Sequence, residues 1–287
     1  MGNGLATPRG AVGLTKENGD NMIGRIPARA VRLAVALIAM SAASAATASA
    51  SMTIYNNIPT PLPGNMVSMA YEATSTSEFG AQVEFAGTVR KSPVVTVVMS
   101  SWACQNLQSG AACSTAGGAT FEWPITLNVY AVGAGNAPGA LLATQTTTFK
   151  IPYRPSANTK KCSLTAEGVV GWGPECFSGK THRIAFHLSG VTLPSKAILA
   201  IAYNTSDYGY APTHGPDVGQ NSLNVALREP AESGPSVGSD PLPSGAYLNS
   251  LWAGAYCEGA LGTGTFRLDE GCWTGYQPAI AVKAVKG

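Results

Sequence analysis

The sequence predicts an all-β protein, specifically an antiparallel β-sandwich with a jelly-roll-like arrangement. No segment sustains the apolar periodicity of an amphipathic helix. Short runs rich in β-forming residues alternate instead with clusters of Gly and Pro. Runs of this kind, separated by turn signals, are typical of two stacked sheets. The predicted strands cover residues 66–72, 79–85, 94–100, 125–132, 140–151, 181–189, 197–203, 222–227 and 279–285.

The pattern within each run predicts how the strand is buried. Residues 181–189 and 222–227 alternate between apolar and polar side chains, which predicts strands with one buried face. Val94, Val95, Val97 and Val98 are apolar on both faces of their run, as are residues 197–202, which predicts two central strands. The sequence from Asn136 to Gly139 offers Pro and Gly for a type II turn, and predicts a hairpin.

The first fifty residues predict a cleaved secretory signal. Arg25, Arg29 and Arg32 precede an apolar run at residues 33–40, and small residues follow up to Ala50. The apolar run is shorter than the roughly 20 residues that a membrane helix needs. We therefore expect bacterial export, cleavage after Ala50, and a secreted, extracellular chain without a membrane span.

The organisation that follows is one β-sandwich domain at residues 51–287. Since Met22 would begin a signal of ordinary length, residues 1–21 are interpreted as an N-terminal extension that precedes the true start. Residues 1–50 contain 5 of the 18 basic and 2 of the 16 acidic residues, so the remainder carries 13 and 14. A net charge near zero argues against nucleic acid as a partner.

The cysteines predict disulfide bonds rather than a metal site. All six follow the signal, and they form three pairs that are local in sequence. A disulfide that closes a loop this short contributes roughly 3 kcal/mol to stability in the loop-entropy model. No Cys-x-x-Cys spacing indicates zinc, and we expect no cofactor. The predicted bonds are Cys104–Cys113, Cys162–Cys176 and Cys257–Cys272.

Four segments resemble a group of uncharacterised exported bacterial proteins. They are Asn57-Ile-Pro-Thr-Pro-Leu-Pro-Gly-Asn65, Glu72-Ala-Thr-Ser-Thr-Ser-Glu-Phe-Gly80, Ile151-Pro-Tyr-Arg-Pro155 and Ile201-Ala-Tyr-Asn-Thr-Ser206. The similarity covers most of residues 54–280. It implies a secreted β-sandwich with no established activity, so it carries no catalytic residue over to this chain.

Three motifs that suggest catalysis or metal binding have better structural explanations. Gly234 to Gly238 fits the G-x-S-x-G elbow, but it lies in a Pro-rich loop instead of between a strand and a helix. The segment from Gly173 to Thr181 has one residue too many between its glycines for a phosphate-binding loop. His182 and His187 are five residues apart, so on a strand they point to opposite faces.

A pair of carboxylates for glycoside hydrolysis is not marked by any motif. Glu78 with Glu84, and Asp269 with Glu270, are the pairs close in sequence. Adjacent or alternating positions do not distinguish a catalytic dyad from two solvated side chains. No catalytic residue is therefore assigned.

The richest polar loop is the one that follows the strand at residues 197–203. Tyr rings stack on sugars, and Asp and Asn side chains accept hydrogen bonds from sugar hydroxyls. The alternative is that the tyrosines cover one end of the sandwich. A calcium site lacks the Asp-x-Asp-x-Asp-Gly spacing. The candidate ligand-binding residues are Tyr203, Asn204, Asp207, Tyr208, Tyr210, His214 and Asp217.

These observations favour a non-enzymatic extracellular or envelope-associated protein that binds a glycan or another cell-surface component. An exported hydrolase acting on polysaccharide and a structural surface-coat component are the alternatives.

Overall fold

The computed structural model describes residues 50–72, 74–106, 113–158, 160, 178–204, 222–229, 234–250, 264–270 and 273–286. These residues are all-β, as predicted, apart from a short 3-10 turn at Ala134–Asn136. The strands are β1 (Ser51–Asn56), β2 (Ser68–Met69), β3 (Thr76–Glu84), β4 (Lys91–Ser101), β5 (Thr120–Val132), β6 (Pro138–Pro152), β7 (Lys180–His187), β8 (Lys196–Ala202), β9 (Leu223–Arg228), β10 (Gly245–Ser250), β11 (Arg267–Glu270), β12 (Gln277–Pro278) and β13 (Ile280–Val285).

Eight of these strands form a jelly roll. The first sheet contains the order β1-β13-β4-β7, and the second contains β3-β8-β5-β6, with every neighbouring pair antiparallel. Along the chain, β1, β4, β7 and β13 belong to the first sheet, and β3, β5, β6 and β8 to the second. This order is that of two Greek keys wrapped into one sandwich. The predicted fold class is confirmed.

The remaining strands extend both sheets. In the first sheet, β9 pairs with β4 at Met99–Ser101, while β13 pairs with β4 from Val97 towards its beginning. The sheet therefore forks beside Val98, where the amide of Val98 donates to the carbonyl of Ala279. In the second sheet, β10 and β11 lie beyond β3.

The main core lies between the two sheets. The predicted alternation of β7 is confirmed, since Ile184 and Phe186 are buried while Arg183 and His187 are exposed. The prediction that β4 and β8 are central is also confirmed, because each has a strand on both sides.

The prediction that β9 has one buried face is wrong. All six of its residues are buried. Ala226 packs with Ile58 and Met66 in a second apolar cluster on the outer side of the first sheet. The Pro-rich segment that follows β1 covers this face, an effect that the local pattern of β9 does not reveal.

The hairpin of β5 and β6 is confirmed, but its turn lies earlier than the predicted type II turn. The amide of Gly133 donates to the carbonyl of Ala137 at 2.8 Å, and Pro138 already begins β6. Gly135 and Asn136 take up the positive φ values, 62° and 60°. Gly and Asn tolerate this conformation best, so the turn forms at these two residues.

One predicted disulfide, Cys104–Cys113, is present. The bonds predicted between Cys162 and Cys176 and between Cys257 and Cys272 lie outside the described residues, as does the predicted signal up to residue 49. No helix with the length and apolar content of a membrane span occurs in the described part of the chain.

Candidate functional site

Several long connections begin at the same end of the sandwich, which we call the loop end. The strands β4, β6, β8 and β10 all run towards it, and the segments 102–119, 153–179, 203–222 and 251–266 follow them. Contacts between the sheets support this placement: the amide of Arg154 after β6 donates to the carbonyl of Ala103 after β4 at 2.7 Å. Segments joined to a rigid scaffold in this way commonly carry binding residues.

The predicted ligand-binding loop begins at the loop end. Tyr203 is 7% exposed, stacks on Tyr71 with ring centroids 4.2 Å apart, and donates its hydroxyl to the carbonyl of Leu223 at 2.7 Å. Its ring thus belongs to the core. For Tyr203 this agrees with the alternative given above, in which the tyrosines of this segment pack against the end of the sandwich. Asn204 is exposed. Asp207, Tyr208, Tyr210, His214 and Asp217 lie outside the described residues, so ligand binding by this loop stays a prediction.

The outer face of the second sheet curls into a trough. In a flat sheet β5 and β10, which have two strands between them, would lie about 14 Å apart. Yet Phe266, beside β11, contacts Tyr130 of β5 and Tyr247 of β10, with ring centroids 5.2 and 6.0 Å apart. At the bottom of the trough, a Cβ on Gly80 would collide with the carbonyl of Leu199. We call this concave face the trough.

A hydrogen-bond network centred on Glu78 lines the trough. Glu78 is 8% exposed, and its Oε1 accepts hydrogen bonds from Asn128 Nδ2 at 2.8 Å and from the Tyr130 hydroxyl at 2.9 Å. Thr144 donates to Asn128 Oδ1 at 2.7 Å. The side chains reach across β8 because Ala202, opposite Glu78, is small. The network thereby connects three strands, β3, β5 and β6, across β8.

The Glu78 carboxylate has no cationic partner among the described residues. Its Oε2 accepts no hydrogen bond from this part of the chain. Burial, together with the hydrogen bond to Glu78 and its charge, raises the pKa of Tyr130. Tyr130 therefore remains a protonated donor at neutral and mildly alkaline pH.

Next to Glu78 the trough is polar and partly open. Thr126 and Thr146 hydrogen-bond each other at 2.7 Å, and Thr146 is exposed. Ala202 and Asn249, on either side of Glu78, are half-buried. Carboxylate, amide and hydroxyl groups beside aromatic rings can bind the alternating polar and apolar surfaces of a sugar.

The other motifs found in the sequence have structural roles. Ser236, in the elbow-like segment, bonds Asn56 through its hydroxyl, and the following Val237 pairs with Asn56. Asp269 is buried and accepts a hydrogen bond from the Trp273 indole at 2.8 Å. No group of three or more metal-ligating side chains occurs within the described ranges.

The histidines lie as predicted, with His187 exposed and His182 half-buried on strand β7. Burial and nearby Lys180 lower the pKa of His182. Glu84, the suggested partner of Glu78, is instead 3.6 Å from Lys196 in an exposed ion pair. The two carboxylates therefore have separate partners.

The chain matches no protein-family model, no curated protein and no solved structure. The residues of the trough are therefore the basis on which a function is inferred. Glu78, Asn128 and Tyr130 were not among the binding residues predicted from the sequence. The available signal was the polar alternation in the strand at residues 125–132, where Thr126 and Asn128 interrupt apolar positions.

Proposed function

We propose that this protein is a secreted, non-enzymatic carbohydrate-binding protein and that the trough of the second sheet is its binding surface. The observation that carries the proposal is the nearly buried Glu78, whose Oε1 is held by Asn128 and Tyr130 while its Oε2 has no partner in the described part of the chain. A carboxylate oxygen in this setting favours a ligand that donates a hydrogen bond. Sugar hydroxyls are such donors.

The charge placement favours binding over hydrolysis. Glycosidases place two carboxyl groups roughly 5–9.5 Å apart. On this face, Glu84 lies six residues from Glu78 along β3, about 20 Å away. Glu122 lies four residues along β5 from Thr126, at about 13 Å. Glu270 of β11 is exposed opposite Gly245. Gly245 lies four residues along β10 from Asn249, the residue opposite Glu78, again about 13 Å along the strand. By strand spacing, none of these carboxylates of the described trough lies within the distance of Glu78 that hydrolysis needs.

Export fits the disulfide bond between Cys104 and Cys113, because disulfides persist in oxidising compartments. The predicted signal at residues 1–50 supplies the route. Extracellular glycans or cell-surface components are therefore the partners that this protein would meet.

A glycan array with purified residues 51–287 tests the proposal. We expect binding to a polysaccharide or oligosaccharide that Asn128→Ala abolishes, since this substitution removes hydrogen bonds on both sides of residue 128. Asn65→Ala is the matched control, because Asn65 is exposed and lies in the segment that covers the first sheet. Circular dichroism establishes that each variant is folded.

Two outcomes contradict the proposal. An array without any bound glycan removes the function itself. Binding that survives Asn128→Ala but is lost in Tyr208→Ala combined with Tyr210→Ala removes the trough as the site, and assigns recognition to the loop predicted from the sequence.

A further inference from the structure

We propose that the trough selects carbohydrates that carry a protonated amine, with the ammonium group bound between Glu78 and the ring of Tyr130. This inference rests on the proposed function and names the ligand class of the same site. A glucosamine-containing oligosaccharide has the required chemistry.

The charge of Glu78 is not compensated by a cation among the described residues. A carboxylate buried to this degree is normally paired with a cation, because desolvation of an unpaired charge is costly. The donors that reach Glu78 from Asn128 and Tyr130 are a neutral amide and a neutral phenol. A ligand ammonium would supply both the missing positive charge and a hydrogen bond to Oε2.

The other charges on this face lie away from Glu78. Lys196 pairs with Glu84 at one rim, Lys150 lies opposite Glu122 at another, and Glu270 of β11 lies opposite Gly245 of β10. Each of these charges is roughly 13 Å or more from Glu78 by strand spacing. Charges so far apart are largely screened at physiological ionic strength, where the Debye length is about 8 Å. The centre of the trough therefore presents one negative charge.

Aromatic rings form one side of the site. The hydroxyl of Tyr130 touches Glu78, and its ring stacks on Phe266, which in turn contacts Tyr247. Aromatic rings attract cations through their quadrupole, and a neutral hydroxyl lacks this gain. A carboxylate beside aromatic rings thus discriminates an ammonium from an N-acetylated or hydroxylated position.

Calorimetric titration with tetramers of glucosamine and of N-acetylglucosamine tests the selectivity at pH 6, where the amine is protonated. We expect the glucosamine tetramer to bind at least about tenfold more tightly, the usual size of a charge-assisted hydrogen bond. Glu78→Gln keeps the shape and the acceptor for Asn128 and Tyr130, so it should remove the preference while retaining weak binding of both sugars. Glu229→Gln makes the same charge change at an exposed position after β9 and should leave the preference intact.

Raising the pH to 9 gives an independent test of the charge. The amine loses its proton, and the preference of the wild-type protein should disappear. The titratable groups facing Glu78 from the described elements are Tyr130 on β5 and Tyr247 on β10, and burial raises the pKa of both. On the next strand, β11, the charge of Glu270 raises the pKa of Tyr247 further. Neither ionises in this range, so the change reports the ligand.

The outcomes separate this inference from the proposed function. Equal affinity for the two tetramers at pH 6, or a preference that persists in Glu78→Gln, overturns amine selectivity and leaves carbohydrate binding in place. Absence of binding to either tetramer overturns the inference, and the glycan array then decides the proposed function separately.

Discussion

Replacing Gly80 with Ala should strongly destabilise the protein, because the curl of the second sheet leaves no room for a side chain there. An ideal Cβ would lie 2.8 Å from both Cα and Cβ of Ala200, and would collide with the Leu199 carbonyl. The obstacles are mainly backbone atoms of β8, and β3 is also held by β10 on its other side. The strand therefore has little freedom to move away.

The magnitude follows from overpacking. Forcing a methyl group into a filled site costs about 1–3 kcal/mol, and a backbone obstacle places Gly80→Ala at the upper limit. Replacing Gly by Ala restricts the unfolded chain and offsets about 0.4–1 kcal/mol. We expect a net loss of about 2 kcal/mol, a large part of a typical stability of about 5–15 kcal/mol.

Urea unfolding followed by tryptophan fluorescence measures this loss. With a slope of about 2 kcal/mol per molar, the midpoint should fall by about 1 M. Gly64→Ala is the matched control, because its Cβ meets no atom within 4 Å. The urea midpoint of Gly64→Ala should equal that of the wild type or be slightly higher. A midpoint for Gly80→Ala equal to that of the wild type would refute the steric account of the trough.

Two further substitutions test other parts of the structure. Arg90 donates to four backbone carbonyls of the β3–β4 connection, including those of Phe85 at 2.8 Å and Gly87 at 2.7 Å, and to the carbonyl of Pro194 before β8. In Arg90→Lys a single ammonium group cannot make all of these hydrogen bonds, so the free energy of unfolding measured in urea should fall by about 2 kcal/mol. An unchanged free energy would show that water replaces these hydrogen bonds at no cost in stability. Burial raises the pKa of Asp240 by more than the hydrogen bond from the Leu242 amide and the charge of Arg228 lower it. The folded state therefore binds the Asp240 proton more tightly, and stability should fall as pH rises from the ordinary pKa of 3.8 through the raised value. Asp240→Asn should abolish this fall, which thermal unfolding measured against pH detects; an identical pH profile in the variant would contradict the assignment.

Local sequence patterns were sufficient to predict a strand and its buried face where burial alternates along the strand. β7 is such a case, since its apolar residues face the core and its polar residues face water. The local pattern did not predict β10, whose six residues, Gly245–Ser250, include Gly, Asn and Ser. This strand forms because β3 and β11 pair with it on both sides. Such partners are distant in sequence, and a window around residue 247 does not contain them.

The candidate site was harder to predict than the fold for the same reason. Asn128 and Tyr130 contact Glu78 across sequence separations of 50 and 52 residues. Glu78 was noticed as one member of a carboxylate pair with Glu84, its neighbour in sequence. Its actual partners come from β5, two strands away, and only the order of strands in the sheet brings them together.

The curl and the polar network depend on the same small residues. Asn128 reaches Glu78 because Ala200 and Ala202, the residues of β8 between them, carry only methyl groups. Gly80, beside Ala200, lets the backbones approach closely enough for β5 and β10 to turn towards each other. Larger side chains at these positions would flatten the sheet and fill the space above Glu78. Around Glu78 the sheet therefore forgoes apolar packing, and what it retains there is a concave surface with a carboxylate at its centre, next to the aromatic rings of Tyr130, Phe266 and Tyr247.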